Sequence, residues 1–152
     1  MSAFLGTGVS IAVLGAGNWG TTIAHIVAGN GRDVLLWTRD DAQCGEINTK
    51  HTNTRSVPGL AISPRVQAVT TLSAAVRGVS LVVMAIPSQA FREVCRGLGE
   101  HLAPEQMVIH ATKGLERTTH CRMTEVLLEE TCARQVGVLA TCRCPARHLA
   151  VR

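Results

Sequence analysis

Three glycines near the amino terminus, Gly15, Gly17 and Gly20, have a spacing that is typical of a loop whose backbone binds a ligand. They follow an apolar run and precede residues with helical spacing, which is the position of a loop that holds a dinucleotide pyrophosphate. The first glycine permits a tight turn, the second lets the backbone approach the phosphates, and the third lets the helix pack on the strand. The helix N-terminus adds unpaired N–H groups and partial positive charge. We predict a dinucleotide site here; the alternative is a glycine-rich turn without a ligand.

Two charged residues, Arg39 and Asp40, follow the next apolar run and bear on the choice of dinucleotide. An acidic residue at this place binds the ribose 2′-hydroxyl of NAD, whereas an arginine accommodates the 2′-phosphate of NADP. Arg39 comes first and can stack on an adenine or pair with a phosphate. We therefore favour NADP, while Asp40 keeps NAD open. The alternative interpretation is a pair of surface charges in a turn.

Two further apolar runs end in residues that a parallel sheet would bring to the same edge. With strand order 3-2-1-4-5-6, the carboxyl ends of strands 1 and 4 border one crevice, so Pro87 is expected beside the Gly15 loop. Lys113 follows the neighbouring strand, and its ammonium could bind a phosphate or an anionic substrate group. The alternative is a solvated lysine. His110 is predicted to be a buried strand residue, and we assign it no role.

These candidates require alternating strands and helices to position them. Short β-branched runs do alternate with helical spacing, which is typical of βαβ units. The predicted fold class is therefore α/β, a Rossmann-type doubly wound, mostly parallel sheet with helices on both faces. The predicted strands are Val9–Leu14, Val34–Trp37, Val66–Thr71, Leu81–Ile86, Met107–Thr112 and Val136–Leu139. The predicted helices are Thr21–Ala28, Asp41–Asn48, a short helix capped by Ser73, Gln89–Leu98 and Met123–Thr131.

The composition of the 152-residue chain predicts one globular domain. It is 46% hydrophobic and 17% charged, which argues against disorder and low-complexity arrays. Aromatic residues make up 3% without any tyrosine, and the net charge of +4 is scattered, so no nucleic-acid partner is expected. Beyond the amino-terminal region, the longest apolar run, residues 79–87, is about half of what a membrane span requires.

The amino terminus and the cysteines predict a cytoplasmic protein. No Lys or Arg precedes Arg32, so the positively charged start of a secretory signal is missing. Without such a signal, the six cysteines are interpreted as free thiols in a reducing compartment. Cys142 and Cys144 with His148 lack a fourth ligand at a sensible spacing, so no metal site is predicted.

Five motifs occur in an order and spacing specific to one family. They are Gly15–Thr21, Leu36–Arg39, Ile47–Asn53 with Pro58 and Gly59 after it, Ala85–Gln89 and Ala111–Glu116. On these motifs the chain, over residues 8–140, resembles the NAD(P)-dependent glycerol-3-phosphate dehydrogenases. That family interconverts sn-glycerol 3-phosphate and dihydroxyacetone phosphate by hydride transfer, in glycerolipid and carbohydrate metabolism.

The resemblance implies roles for particular residues. The glycine loop with Asn18 and Trp19 would bind the cofactor, Arg39 would face its adenosine end, and Lys113 would touch both cofactor and substrate. The implied cofactor is NAD or NADP, the implied partner is a phosphorylated small molecule, and a homodimer is an expectation for the full-length enzyme. The cofactor-binding candidates are Gly15, Gly17, Asn18, Trp19, Gly20, Arg39, Asp40, Pro87 and Lys113, of which Lys113 is also the substrate-binding candidate.

Two stretches depart from the family pattern. Ser56 and Val57 stand where the family usually has an aromatic residue before Leu-Pro-Gly, which predicts a weaker contact near the cofactor. Residues 141–152 do not resemble the family's continuation into a helical substrate domain that holds the catalytic lysine. We therefore divide the chain into a dinucleotide-binding domain, residues 1–140, and an atypical tail, residues 141–152, of the kind that a frameshift or a truncation produces.

Two hypotheses for function follow. The first is the cofactor domain of a glycerol-3-phosphate dehydrogenase, inactive alone because the family's catalytic lysine is expected beyond residue 152. The second is a non-catalytic module that senses or sequesters a dinucleotide. Turnover of dihydroxyacetone phosphate with NADH or NADPH would distinguish the two, since only an enzyme consumes the cofactor.

Overall fold

The computed structural model describes residues 11–140, which form a six-stranded sheet with helices on both faces. The strands are β1 Ile11–Leu14, β2 Val34–Trp37, β3 Val66–Val69, β4 Leu81–Met84, β5 Met107–His110 and β6 Gln135–Val138. The helices are α1 Asn18–Gly29, α2 Asp41–Lys50, α3 Leu72–Val76, α4 Ser88–Gly99 and α5 Met123–Glu130.

The strand order is β3-β2-β1-β4-β5-β6, and every pair of neighbouring strands is parallel. The order reverses at β1, which lies between β2 and β4. Loops at such a reversal diverge to opposite faces, so a crevice opens at the carboxyl ends of these strands. The predicted α/β, doubly wound fold is confirmed. Val9 and Ser10, the start of the first predicted strand, lie outside the described residues.

Two hydrophobic cores cover the faces of the sheet. Side chains alternate along a strand, so Ala12 and Leu14 of β1 face one core, together with Phe91 of α4. Val13 faces the other core, together with Ile47 of α2. Each fully buried Val, Leu, Ile or Phe side chain contributes about 1.5–3 kcal/mol to the free energy of unfolding. Because both faces are covered, the strands consist almost entirely of apolar residues.

Helix α1 starts earlier than the sequence predicts. It begins at Asn18 rather than Thr21, with Gly17 as its N-cap residue. The Thr21 N–H donates to the Gly17 carbonyl at 2.9 Å, so the second half of the glycine motif already forms the first helical turn. The predicted boundary is wrong because the glycines permit a turn with no connecting residues between loop and helix.

The cap of helix α3 also differs from the prediction. Thr71, and not Ser73, is the N-cap residue, and its side chain accepts a hydrogen bond from the Ala74 N–H at 3.3 Å. Both hydroxyl side chains can cap a helix. The choice depends on where the chain leaves β3, and this strand ends at Val69, two residues before the predicted end.

None of the helices among residues 11–140 has the length and apolarity that crossing a bilayer demands.

Candidate cofactor-binding site

A cavity of about 770 Å³ opens at the carboxyl ends of β1, β2, β4 and β5. Its size lies within the range of roughly 300–1,000 Å³ that is usual for small-molecule sites. It sits at the reversal of strand order, where open parallel sheets hold their ligands. The structure brings all nine sequence-predicted residues to its wall, namely Gly15, Gly17, Asn18, Trp19, Gly20, Arg39, Asp40, Pro87 and Lys113.

The three glycines of the loop differ in whether the protein leaves room for a side chain. Gly15 has φ +107°, and a Cβ there would lie 2.6 Å from the Ala85 carbonyl oxygen. A Cβ on Gly20 would overlap the Gly15 carbonyl oxygen. Gly17 is different, since a Cβ there would meet no atom within 4 Å. Two glycines are thus required by the fold itself, whereas Gly17 leaves open space on the cavity side that a phosphate could approach.

The carbonyl oxygen of Ala16 is the centre of a polar cluster behind the glycine loop. It accepts hydrogen bonds from the Gln43 amide at 2.9 Å, the Asn53 amide at 3.0 Å and the Ser56 hydroxyl at 3.0 Å. Asn53 is fully buried and also donates to the Thr21 hydroxyl at 2.9 Å. This cluster ties the loop to helix α2 and to residues 53–56. It therefore fixes the carbonyl, and with it the orientation of the neighbouring N–H groups.

At Ser56, the sequence predicts a weaker contact near the cofactor. It lies in the cavity wall, and its hydroxyl is used to hold the Ala16 carbonyl. The smaller residue thus supports the glycine loop through a hydrogen bond.

A cationic and an anionic residue follow β2, and they differ in how many contacts their side chains make. Arg39 is 63% exposed, and its guanidinium lies 3.8 Å from Glu93. Asp40 is the N-cap residue of α2, where one carboxylate oxygen accepts the Gln43 N–H at 3.1 Å. The other oxygen accepts a hydrogen bond from Arg55 at 3.0 Å. Both oxygens of Asp40 are therefore engaged, whereas the Arg39 side chain faces solvent and the cavity.

Pro87 directly precedes α4 and lies opposite the glycine loop. The Ala85 N–H donates to the Leu14 carbonyl at 2.8 Å, which joins the end of β4 to the end of β1. Pro87 and the first two residues of α4, Ser88 and Gln89, line the cavity. This wall brings the N-terminus of a second helix to the cavity, where its N–H groups favour anions.

Lys113 is exposed in the connection from β5 to α5, and this connection is anchored on both sides of it. Before it, the Thr112 hydroxyl donates to the Ile86 carbonyl at 2.6 Å. After it, Arg92 of α4 donates to both carboxylate oxygens of Glu116, at 2.7 and 2.8 Å. These charge-assisted bonds hold the pKa of Glu116 at about 2.

Arg92 is the centre of a wider ion-pair network. It also contacts Glu130 at 2.6 Å and Glu129 at 2.8 Å, both on α5. The three carboxylates raise the pKa of Arg92, with Glu116 as the largest cause. The network ties the Lys113 connection to two helices at once.

His110 is a buried residue of β5, as the sequence predicts. Its Nε2 lies 2.9 Å from the Thr124 hydroxyl, and its ring packs edge-on against Phe91. Burial lowers its pKa. It does not line the cavity described above.

Within residues 11–140, no three His, Cys, Asp or Glu side chains are grouped in a way that could hold a metal ion. The weak metal pattern of Cys142, Cys144 and His148 lies outside the described residues.

A sequence profile described as "NAD-dependent glycerol-3-phosphate dehydrogenase N-terminus" matches residues 10–143. The chain belongs to this family. It is 43% identical to the glycerol-3-phosphate dehydrogenase (NAD(P)+) of Enterococcus faecalis over 120 residues, which are 79% of this chain and 35% of that relative.

Solved glycerol-3-phosphate dehydrogenases share the fold. The structure from Coxiella burnetii has a TM-score of 0.79 and 30% identity, covering 86% of this chain and 40% of that one. The structure from Saccharomyces cerevisiae has a TM-score of 0.78 and 28% identity, covering 87% and 41%. The chain spans less than half the length of these glycerol-3-phosphate dehydrogenases.

Three residues at or behind this site are not singled out by the sequence as site residues, namely Gln43, Asn53 and Arg55. Asn53 falls within a motif of the family resemblance, which gave it no role. A polar residue in a long connection carries no periodic signal, and its burial is visible only in the fold. Gln43 and Arg55 likewise reach the site from segments that are distant in sequence from the glycine loop.

Proposed function

We propose that residues 1–140 are the dinucleotide-binding domain of a glycerol-3-phosphate dehydrogenase that interconverts sn-glycerol 3-phosphate and dihydroxyacetone phosphate. The observation that carries the proposal is the glycine loop at the reversal of strand order, with open space in front of Gly17. Membership of the family supports the substrate pair. The non-catalytic alternative is not favoured, because the matched relatives are named as dehydrogenases.

The residues of the site divide by the part of the cofactor that they would hold. The backbone from Gly15 to Gly20 and the start of α1 would bind the pyrophosphate, because these residues line the cavity at a helix N-terminus. Trp19 and Asn18 would pack beside it. Arg39 and Asp40 would lie at the adenosine ribose, and Pro87 would border the nicotinamide half.

In the proposed mechanism, this chain positions the dinucleotide and supplies the positive charge of Lys113. When bound, the nicotinamide supplies the hydride chemistry. The glycine loop would hold the dinucleotide in one orientation, which lowers the entropic cost of reaction. Lys113 would bind both the cofactor and the phosphorylated substrate through its ammonium, since it lines the cavity in an anchored connection. No residue of this chain is assigned the proton transfer.

The proposed enzyme uses NADP in preference to NAD and is located in the cytoplasm. NADP acceptance is favoured over NAD, because an exposed arginine, Arg39, lies where a 2′-phosphate is read. The cytoplasm is the proposed location, in keeping with the free thiols of Cys44, Cys95, Cys121 and Cys132. Homodimer formation is proposed for the full-length enzyme, and nucleic acid is not a proposed partner.

Cofactor binding can be measured by tryptophan fluorescence. Trp19 and Trp37 both line the cavity, so NADH or NADPH should change the emission of the wild-type chain. Gly17→Val should weaken binding at least about tenfold, or about 1.4 kcal/mol, because its side chain would occupy the space of the pyrophosphate. It should still fold, since no protein atom opposes a Cβ at Gly17.

Gly45→Val is the matched control. A Cβ at Gly45 also meets no atom within 4 Å, and Gly45 does not line the cavity. This variant should bind the cofactors like the wild type. Unchanged emission of the wild-type chain up to millimolar cofactor, with no heat in calorimetry, would contradict the proposed function.

A further inference from the structure

We propose that Arg55 determines cofactor specificity: together with Arg39 it binds the 2′-phosphate of NADP(H), and its ion pair with Asp40 keeps that carboxylate from reading the 2′-hydroxyl of NAD(H). The inference rests on the proposed function, and it names a residue outside the glycine loop and the end of β2. Arg55 lies in the connection between α2 and β3 and lines the cavity.

Asp40 is the residue at the cavity that would favour NAD. One of its oxygens caps α2 through the Gln43 N–H, and the other is bound by the Arg55 guanidinium at 3.0 Å. A carboxylate that reads a ribose 2′-hydroxyl must accept a hydrogen bond from it. Here each oxygen already accepts one hydrogen bond from the protein, and the paired charge weakens the carboxylate as an acceptor for a further hydroxyl. Asp40 is thereby directed to a structural task while it stands at the place of a cofactor-reading residue.

The guanidinium groups of Arg55 and Arg39 both lie in exposed side chains at the cavity wall. Arg55 is 77% exposed and uses one terminal nitrogen in the ion pair, and a guanidinium has five N–H donors. Arg39 is 63% exposed, and its pair with Glu93 at 3.8 Å is of the weak surface kind. Both groups can therefore turn toward an arriving ligand without breaking a buried contact.

The charged residues that line the cavity are mostly cationic. Its ionised lining residues are Arg39, Arg55 and Lys113 against the single carboxylate of Asp40. Lys113 belongs to the β5 side, so the end of β2 is bordered by two arginines. A planar guanidinium group can donate two parallel hydrogen bonds to two oxygens of one phosphate, so it is suited to binding a 2′-phosphate. The geometry thus favours a phosphorylated ribose over a free one.

The experiment compares Arg55→Ala with the wild-type chain in NADPH and NADH titrations at one fixed salt concentration. We expect NADPH affinity to fall at least tenfold. NADH affinity should stay the same or increase, because Asp40 is released to accept from the 2′-hydroxyl. The fragments 2′,5′-ADP and 5′-AMP should show the same difference, which isolates the 2′-phosphate from the nicotinamide. Arg55→Lys should lose part of the NADPH affinity, since it keeps the charge without the fork.

The matched control is Arg65→Ala. Arg65 forms an exposed ion pair with Asp33 at the same 3.0 Å, and it does not line the cavity. It should leave both affinities unchanged, and equal melting temperatures of the two variants would show that folding is not the cause. An equal loss of NADPH and NADH affinity in Arg55→Ala, or no loss of NADPH affinity, overturns the inference alone. A wild-type chain that binds neither cofactor overturns the proposed function and the inference together.

Discussion

At the scale of single residues, the Asn53 side chain joins three segments of the chain behind the glycine loop. It is fully buried and donates to the Ala16 carbonyl and the Thr21 hydroxyl, while its own oxygen accepts from the Gln43 amide at 3.0 Å. Such a buried network is stable only when each member has its partner. The amide therefore connects the loop, the first turn of α1 and helix α2.

We predict that Asn53→Ala lowers both stability and cofactor affinity. Buried partners left without a hydrogen bond should cost about 1–3 kcal/mol in the free energy of unfolding. NADH and NADPH should both bind several-fold more weakly, because the Ala16 carbonyl loses one of its donors. Urea unfolding and fluorescence titration measure the two effects.

Asn48→Ala controls for the loss of an asparagine that bridges two segments. Asn48 exchanges two hydrogen bonds with the Ala68 backbone, at 2.7 and 3.0 Å, away from the cavity. It should reduce stability while leaving cofactor affinity unchanged. If both variants weakened binding alike, Asn53 would have no special role in the loop.

At the scale of elements, the connection between β5 and α5 is short of apolar contacts and is held by polar ones. Leu115 is 50% exposed, whereas the Glu116 carboxylate, which Arg92 binds, is 12% exposed. Glu116 also accepts from the Thr119 hydroxyl. The position of Lys113 thus depends on an ion pair with helix α4.

Removing Arg92 should loosen this connection. In Arg92→Met, Glu116, Glu129 and Glu130 lose their shared cation and repel one another. We expect amide hydrogen exchange in residues 113–121 to speed up by about tenfold or more. Binding of NADPH should weaken in parallel, because Lys113 is no longer held at the cavity.

Arg96→Met is the control on the same helix. Arg96 is 67% exposed and contacts Glu130 alone among these three carboxylates. A surface pair of this kind contributes little, so exchange in residues 113–121 should stay as in the wild type. Equal exchange in both variants would show that Arg92 does not anchor the Lys113 connection.

At the scale of the whole molecule, stability should depend on pH through buried or paired groups. The pKa of His110 is lowered by burial, so the unfolded chain binds its proton first as pH falls below about 6.5. Stability should decline there. Hydrogen bonds from Arg92 lower the pKa of Glu116 to about 2, so its contribution is present above pH 4.5 and is lost as pH falls toward 2.

At alkaline pH, stability should fall because the folded chain retains a proton that the unfolded chain releases. Burial raises the pKa of Cys95 from 9.0 to about 12, because a thiolate is unfavourable in the core. The unfolded chain releases this proton first, so stability should fall as pH rises above 9. Urea unfolding from pH 3 to 10 should therefore give a maximum between about 6.5 and 9.

Two variants test which residue causes each decline in stability with pH. His110→Asn should flatten the decline just below pH 6.5, and Cys95→Ala should flatten the decline above pH 9. Slopes that persist in these variants would assign the pH dependence to other groups.

The order of strands and helices and the place of the glycine loop could be predicted from the sequence alone. Apolar runs, helical spacing and the glycine pattern are properties of neighbouring residues, so they can be detected along the chain. The edge of the sheet that holds Arg39, Pro87 and Lys113 followed from the same order, because parallel strands end on one side. The family resemblance rested on the same local motifs.

Which polar side chains contact each other became visible in the folded structure. Asp40 and Arg55 are 15 residues apart in sequence, and Ala16 and Asn53 are 37 apart, yet both pairs are in hydrogen-bond contact. The start of α1 at Asn18 was likewise set by the close approach of loop and helix. Periodicity reports which face of an element is buried, but it carries no information on which distant polar groups face each other. That depends on the angles and distances at which the packed elements come to rest.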